Sequence, residues 1–203
     1  MLIFWEQRLA ILATPKTGST AIEVALSPLA AISVERPPAL KHTTAFRFQR
    51  FLRPWLERSA GAPFTVAALM REPLDWLGSW YRYRQREDID GDPNSTAGLD
   101  FEAFVEGYLA DPRPAWADVG SQARFLEGKD GRGVDALFRY EAIEGFVAFL
   151  EDRLGCAIEL PRVNVSPARP LGLSEGVRAR LTARLADDYA LYRRIADQGP
   201  PRP

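Results

Sequence analysis

The chain has 203 residues, 46% hydrophobic and 11% aromatic, which fills the core of one α/β domain and excludes wholesale disorder. A single cysteine, Cys156, and a single histidine, His42, exclude an internal disulfide and a metal site built from Cys or His clusters. The net charge of −1 hides a division: residues 36–86 carry ten Lys/Arg and three acids, residues 87–118 nine acids and one Arg.

Met1–Ala13 is apolar but carries Glu6 and Arg8. It is too short to span a bilayer, and it lacks the basic start and small-residue cleavage site of a secretory signal. The expectation is a cytoplasmic protein with no membrane partner. Within this stretch, Leu9–Thr14 reads as a buried strand that runs into a turn at Pro15. Ser19–Leu26 then has helical spacing, with Pro28 marking its end, and Ile32–Val34 suits a short strand. Thr43–Arg58 is patterned as an amphipathic helix that Pro54 should kink. Phe64–Met70 is a continuous apolar run, expected to be a central parallel strand. Pro73 opens a helix that runs to about Arg86.

Asp88–Gly98 is polar and rich in turn formers, hence a mobile loop. Phe101–Leu109 is a short helix, Val134–Tyr140 a strand, and Glu141–Leu154 a helix stopped by Gly155. Ser174–Ile195 supplies closing helical structure. Strands alternating with helices predict a doubly wound, mostly parallel sheet flanked by helices. One domain over residues 1–198 is expected, followed by a frayed Pro-rich tail at 199–203.

Chemistry concentrates in three places. In "ATPKTGSTAIE", Gly18 permits close backbone approach to an anion, and the amides opening the next helix point toward it. Lys16 adds a full charge, and Thr17, Ser19 and Thr20 add hydroxyl donors. The leading glycine and the Gly-Lys-Ser/Thr order of a Walker A loop are missing, which counts against an ATPase.

In "REPLDWLGSWYRYRQR", Arg71 ends a predicted strand and Ser79 follows eight residues later on a helix. An arginine arching back can meet that hydroxyl on a shared phosphate, because its planar fork donates two hydrogen bonds. In "LKHTTA", His42 offers a side chain whose ordinary pKa of about 6.5 suits general-base work. Glu23, in the first turns after the loop, is the rival base. Lys41 is either a second anion contact or solvated.

The first two motifs resemble those of the PAPS-dependent sulfotransferase family (PAPS is 3′-phosphoadenosine-5′-phosphosulfate). Lys16, Thr17, Gly18, Ser19 and Thr20 match its Pro-Lys-x-Gly-Ser/Thr-Thr/Ser loop for the 5′-phosphosulfate. Arg71 and Ser79 match its 3′-phosphate motif, with Glu72 where the family usually has Asp. The resemblance implies a P-loop-like fold, PAPS as co-substrate, adenosine 3′,5′-bisphosphate as product and catalytic roles for Lys16 and for His42 or Glu23. It implies no metal. The acceptor would bear a hydroxyl, a sugar or small molecule being favoured over nucleic acid.

Segments around Gln122 and around Asn164 and Ser166 resemble pieces that recur in such domains. Trp76, Trp80, Tyr81 and Tyr83 offer either an adenine-stacking face or core. Arg82, Arg84 and Arg86 receive no role. Two alternatives stand beside this reading: a non-catalytic nucleotide-binding module of the same fold, and an ATP-dependent phosphotransferase with a degenerate P-loop.

Overall fold

Five short strands form one sheet whose apolar middle is buried on both faces. In the computed structural model, which describes residues 1–127, 133–161 and 171–197, the strands are β1 (Leu2–Phe4), β2 (Leu9–Leu12), β3 (Ile32–Ser33), β4 (Thr65–Met70) and β5 (Ala136–Arg139). Their order across the sheet is β3-β1-β2-β4-β5. β4 is the parallel strand that Phe64–Met70 foretold, fourth of the five and paired in parallel with β2 and with β5.

The expectation of a mostly parallel sheet is corrected. β1 pairs antiparallel with β2 and with β3, so two of the four pairings are antiparallel and the sheet is mixed. The cause is a hairpin at the start of the chain. Trp5–Arg8 reverse direction, the Arg8 amide donates to the Trp5 carbonyl at 3.2 Å, and Arg8 adopts a left-handed φ of 51°. Gly or Asn usually takes such a position, so the sequence carries no turn signal there.

The helical segments are α1 (Ser19–Leu26), α2 (Pro38–Lys41), α3 (Ala45–Arg47), α4 (Arg53–Ala60), α5 (Pro73–Tyr83), α6 (Phe101–Leu109), α7 (Gln122–Leu126), α8 (Ile143–Leu154), α9 (Glu175–Arg184) and α10 (Ala186–Asp197). Ile3, Leu12, Val66, Ala68 and Met70 point to one side of the sheet, against Phe48, Leu56, Leu126 and Leu191. Leu2, Phe4, Leu9, Ile11, Ala67 and Leu69 point to the other, against Ile22, Leu26, Phe146 and Leu150. Successive residues of a strand face opposite ways, so covering both faces requires every position to be apolar. A third cluster joins α5, α6 and α9 through Trp76, Leu77, Tyr81, Phe101, Phe104 and Leu181.

Two expected helices are subdivided. Residues 45–60 run as α3, a π-helical turn at Phe48–Leu52, and α4. Pro54 lies in the first turn of α4, where its missing N–H needs no partner, so the irregularity sits before the proline. The closing helix breaks between Arg184 and Ala186, at Leu185. The acidic segment after α5 is irregular, as expected, and anchored by the buried Thr96, whose hydroxyl donates to the Tyr81 carbonyl at 3.1 Å. The tail at 199–203 lies outside the described residues.

Phe48 is fully buried against the sheet, whereas Phe51, in the same turn, is exposed. Phe48→Ala is expected to lower unfolding free energy by about 3–5 kcal/mol. Phe51→Ala is expected to change it by no more than about 0.5 kcal/mol. Urea unfolding of the two variants checks this; equal losses would contradict the packing.

Candidate functional site

The C-terminal ends of β2, β4 and β5 meet at one edge of the sheet, the place where open α/β sheets offer a crevice for ligands. β2 runs into the turn Thr14–Gly18, which is shaped by its own polar groups. Thr17 Oγ1 donates to the Thr14 carbonyl at 2.9 Å, and Trp76 Nε1, from α5, donates to the Pro15 carbonyl at 3.0 Å. Lys16 has φ +65°, an uncommon conformation for a residue with a Cβ, and Gly18 follows at φ +72°. A Cβ on Gly18 would lie 3.1 Å from Cε2 of Tyr140, so a side chain there would press on that ring as well as strain the backbone. α1 starts at Ser19, and the amides of Gly18, Ser19 and Thr20 have no acceptor among the described residues.

Arg71 follows directly on β4 and closes against this turn. Its Nη1 donates to the Lys16 carbonyl at 3.3 Å, and its guanidinium lies 4.8 Å from the centre of the Tyr140 ring. Its backbone is held just as firmly. The fully buried side-chain amide of Gln122 accepts from the Arg71 N–H at 2.9 Å and donates to the Arg71 carbonyl at 2.8 Å. Asp75, in the first turn of α5, binds Arg71 Nε at 2.6 Å and Arg82 at 3.1 Å. Ser79 lies one turn beyond Asp75 on the same helical face and is buried.

The Lys16 ammonium sits over the rings of Tyr83 and Trp80, 3.9 and 5.5 Å from their centres. Burial, helped by the neighbouring charges of Arg71, Arg86 and Arg82, brings its pKa down to about 8. Four cationic side chains therefore surround one turn. Thr14 Oγ1 and Trp80 Nε1 are buried near it with no hydrogen-bond partner among the described residues.

His42 follows α2 and reaches the same edge from the β2 side. Its Nδ1 lies 2.7 Å from the Ala13 carbonyl. A carbonyl only accepts, so Nδ1 carries the proton and the Nε2 of a neutral ring keeps its lone pair. Burial lowers the His42 pKa, which favours that neutral form; the Ala13 hydrogen bond opposes the shift and the Lys41 charge reinforces it.

Glu23 is buried on α1, where its two oxygens meet the Lys41 ammonium at 2.6 Å and the Met1 amino group at 3.2 Å. Its carboxylate is thus committed to two ion pairs, and Lys41 is bound rather than solvated. The void lined by Ala13, Thr17, Ser19 and Glu23 holds about 10 Å³, room for about one water.

The structure thus brings Lys16, Thr17, Gly18, Ser19, Thr20, Arg71 and His42 to one edge, with Glu23 beneath it. Trp76 and Tyr81 are core, and the buried Arg84 donates to the Ala115 carbonyl at 2.8 Å. Trp80 and Tyr83 instead frame Lys16. Asn164 and Ser166 lie outside the described residues. Two contributors went unassigned in the sequence: Tyr140 and the clamp by Gln122. The one available signal was a lone amide in the apolar run "QARFL", just after the helix-capping Ser121.

Comparison with protein-family models, with characterised proteins and with solved structures gives no match.

His42 gives a pH-dependent signature. The unfolded ring protonates near its ordinary value of about 6.5 and the folded ring only at lower pH. Between those values the unfolded chain binds more protons, so stability falls as pH drops through that window. NMR titration of this single histidine should give a pKa below 6.5, and His42→Gln should flatten that part of the pH–stability profile. A pKa at or above 6.5 would contradict the burial.

Proposed function

We propose that this chain is a PAPS-dependent sulfotransferase of P-loop-like fold, acting on a hydroxyl-bearing acceptor and releasing adenosine 3′,5′-bisphosphate. The observation that carries the reading is the junction of two separated motifs, with Arg71 bonded to the Lys16 carbonyl at 3.3 Å. Fifty-five residues apart in sequence, they form a single cationic edge.

The donor set fits a nucleotide with two anionic ends. The free amides of Gly18, Ser19 and Thr20, the hydroxyls beside them and Lys16 suit the 5′-phosphosulfate, at the start of a helix whose dipole favours negative charge. Arg71, with Ser79 on the next helix, suits the 3′-phosphate and would separate this nucleotide from ATP. Arg71 is already paired with Asp75, so a phosphate either shares the guanidinium with that carboxylate or displaces it.

PAPS supplies the sulfuryl group; the protein supplies positions and charges. His42 takes the acceptor's hydroxyl proton at Nε2, because Nδ1 is tied to the Ala13 carbonyl. Glu23 keeps Lys41 and the start of the chain in place and is not needed as the base. Lys16 neutralises the charge that grows on the leaving phosphate, an effect strengthened by its partly dry surroundings. Catalysis rests on positioning and electrostatics, as in phosphoryl transfer.

A second reading has an observation of its own: the Lys16 ammonium rests on aromatic rings and Arg71 on a carboxylate, an arrangement that also suits a non-catalytic nucleotide-binding module.

A thermal-shift panel comparing adenosine 3′,5′-bisphosphate, AMP and ATP with magnesium tests the donor class. The bisphosphate is expected to raise Tm most. Arg71→Ala should erase its advantage over AMP, and Lys16→Ala should weaken both. A preference for ATP with magnesium would transfer the site to phosphotransferases, and no shift with any nucleotide would reject both readings.

A further inference from the structure

The helix over residues 45–60 has two apolar faces, and the sheet uses only one. Phe48 and Leu56 are buried on the inner face. On the outer face Phe51 is 64% exposed and Trp55, four residues on, 57% exposed. Nothing in the core accounts for these two rings. Arg47 stands one turn before Phe51 and Arg58 about one turn after Trp55, both exposed, and Arg50 stands beside them with its guanidinium 5.3 Å from the Phe51 ring centre.

None of these three arginines has an ion pair among the described residues. The only acid between residues 43 and 62 is Glu57, which turns inward to accept from Arg53 Nε at 2.7 Å and from the Phe64 N–H at 2.9 Å. The outer stripe therefore combines aromatic rings and positive charge with no acid.

We propose that this stripe docks the protein on an anionic lipid bilayer, lying in the interface rather than crossing it. Among the described residues no helix is long and apolar enough to cross a membrane. The chemistry is that of an interfacial helix: aromatic rings sink into the boundary between headgroups and acyl chains, and flanking arginines reach acidic headgroups. Two large rings project from the stripe, 64% and 57% exposed. Projecting rings enter a deformable apolar layer without the preformed slot for each that an acidic protein surface would have to supply. Charge complementarity selects acidic over zwitterionic lipid. This inference is independent of the nucleotide site, and it departs from the expectation of no membrane partner.

Co-sedimentation of the full chain with vesicles tests it. Binding is expected to vesicles of phosphatidylcholine containing one-third phosphatidylserine, to weaken with salt, and to be lost on phosphatidylcholine alone. Changing Arg47, Arg50 or Arg58 to Gln should cost roughly fivefold each. Phe51→Ser with Trp55→Ser should cost about tenfold or more while leaving the circular dichroism spectrum and Tm unchanged. The proposal fails if the acidic vesicles do not pellet the protein, if both lipids pellet it equally, or if the double variant pellets like the parent. It also fails if the two rings prove to mediate a concentration-dependent dimer, seen by sedimentation, that vesicles do not compete away.

Discussion

Arg71 is held from three directions, and the geometry of the site follows from how it is held. Its backbone pairs with the side-chain amide of Gln122 through both N–H and C=O, much as an adjacent strand would pair with it. Gln122 is fixed in turn by Asp188 of α10, whose carboxylate accepts from the Gln122 and Ala123 amides and from the Ser121 hydroxyl. Burial raises the Asp188 pKa, and these hydrogen bonds oppose the shift. Leaving either Arg71 backbone group unpaired in this buried setting would cost about 1–3 kcal/mol. A chain of polar contacts thus runs from the last helix to the end of the central strand, and from there through the guanidinium to the Lys16 carbonyl.

That chain sets the electrostatics. With Arg71, Arg82 and Arg86 gathered near a half-dry lysine, the protein concentrates positive charge at a turn whose amides also lack acceptors among the described residues. Asp75 and the rings of Trp80, Tyr83 and Tyr140 are the counterweights that let so many cations share one edge. The left-handed backbone at Lys16 shows the turn is held, since a residue with a Cβ takes φ near +65° only where its surroundings require it. Fixed donors and cations are what stabilising a developing anion demands, because little reorganisation remains to be done when the charge appears.

Much of this edge was legible in the sequence. The apolar runs at 9–14 and 64–70 read as buried strands, and the residues after each, the turn with Lys16 and Gly18 and then Arg71, are anion-binding types. The hairpin of β1 was hidden because Arg8 occupies a turn position that ordinarily signals itself with glycine. The clamp made by Gln122 and the role of Asp188 were hidden because their partners lie fifty-one and sixty-six residues away and are backbone groups, which leave no mark in side-chain patterning. Glu23 read as a rival base because its ion-pair partners, Lys41 and the Met1 amine, reach it only through the fold.

The central claim is that Lys16 and Arg71 jointly form an anion site. Lys16 titrates near pH 8 without an anion beside it, and a bound anion must raise that value. Calorimetry of adenosine 3′,5′-bisphosphate binding at pH 8, repeated in buffers of different ionisation enthalpy, reads the coupled proton directly. Uptake of part of a proton per ligand, absent in Lys16→Met, is the result expected. Binding whose heat is independent of the buffer, or unchanged proton uptake in that variant, would contradict it.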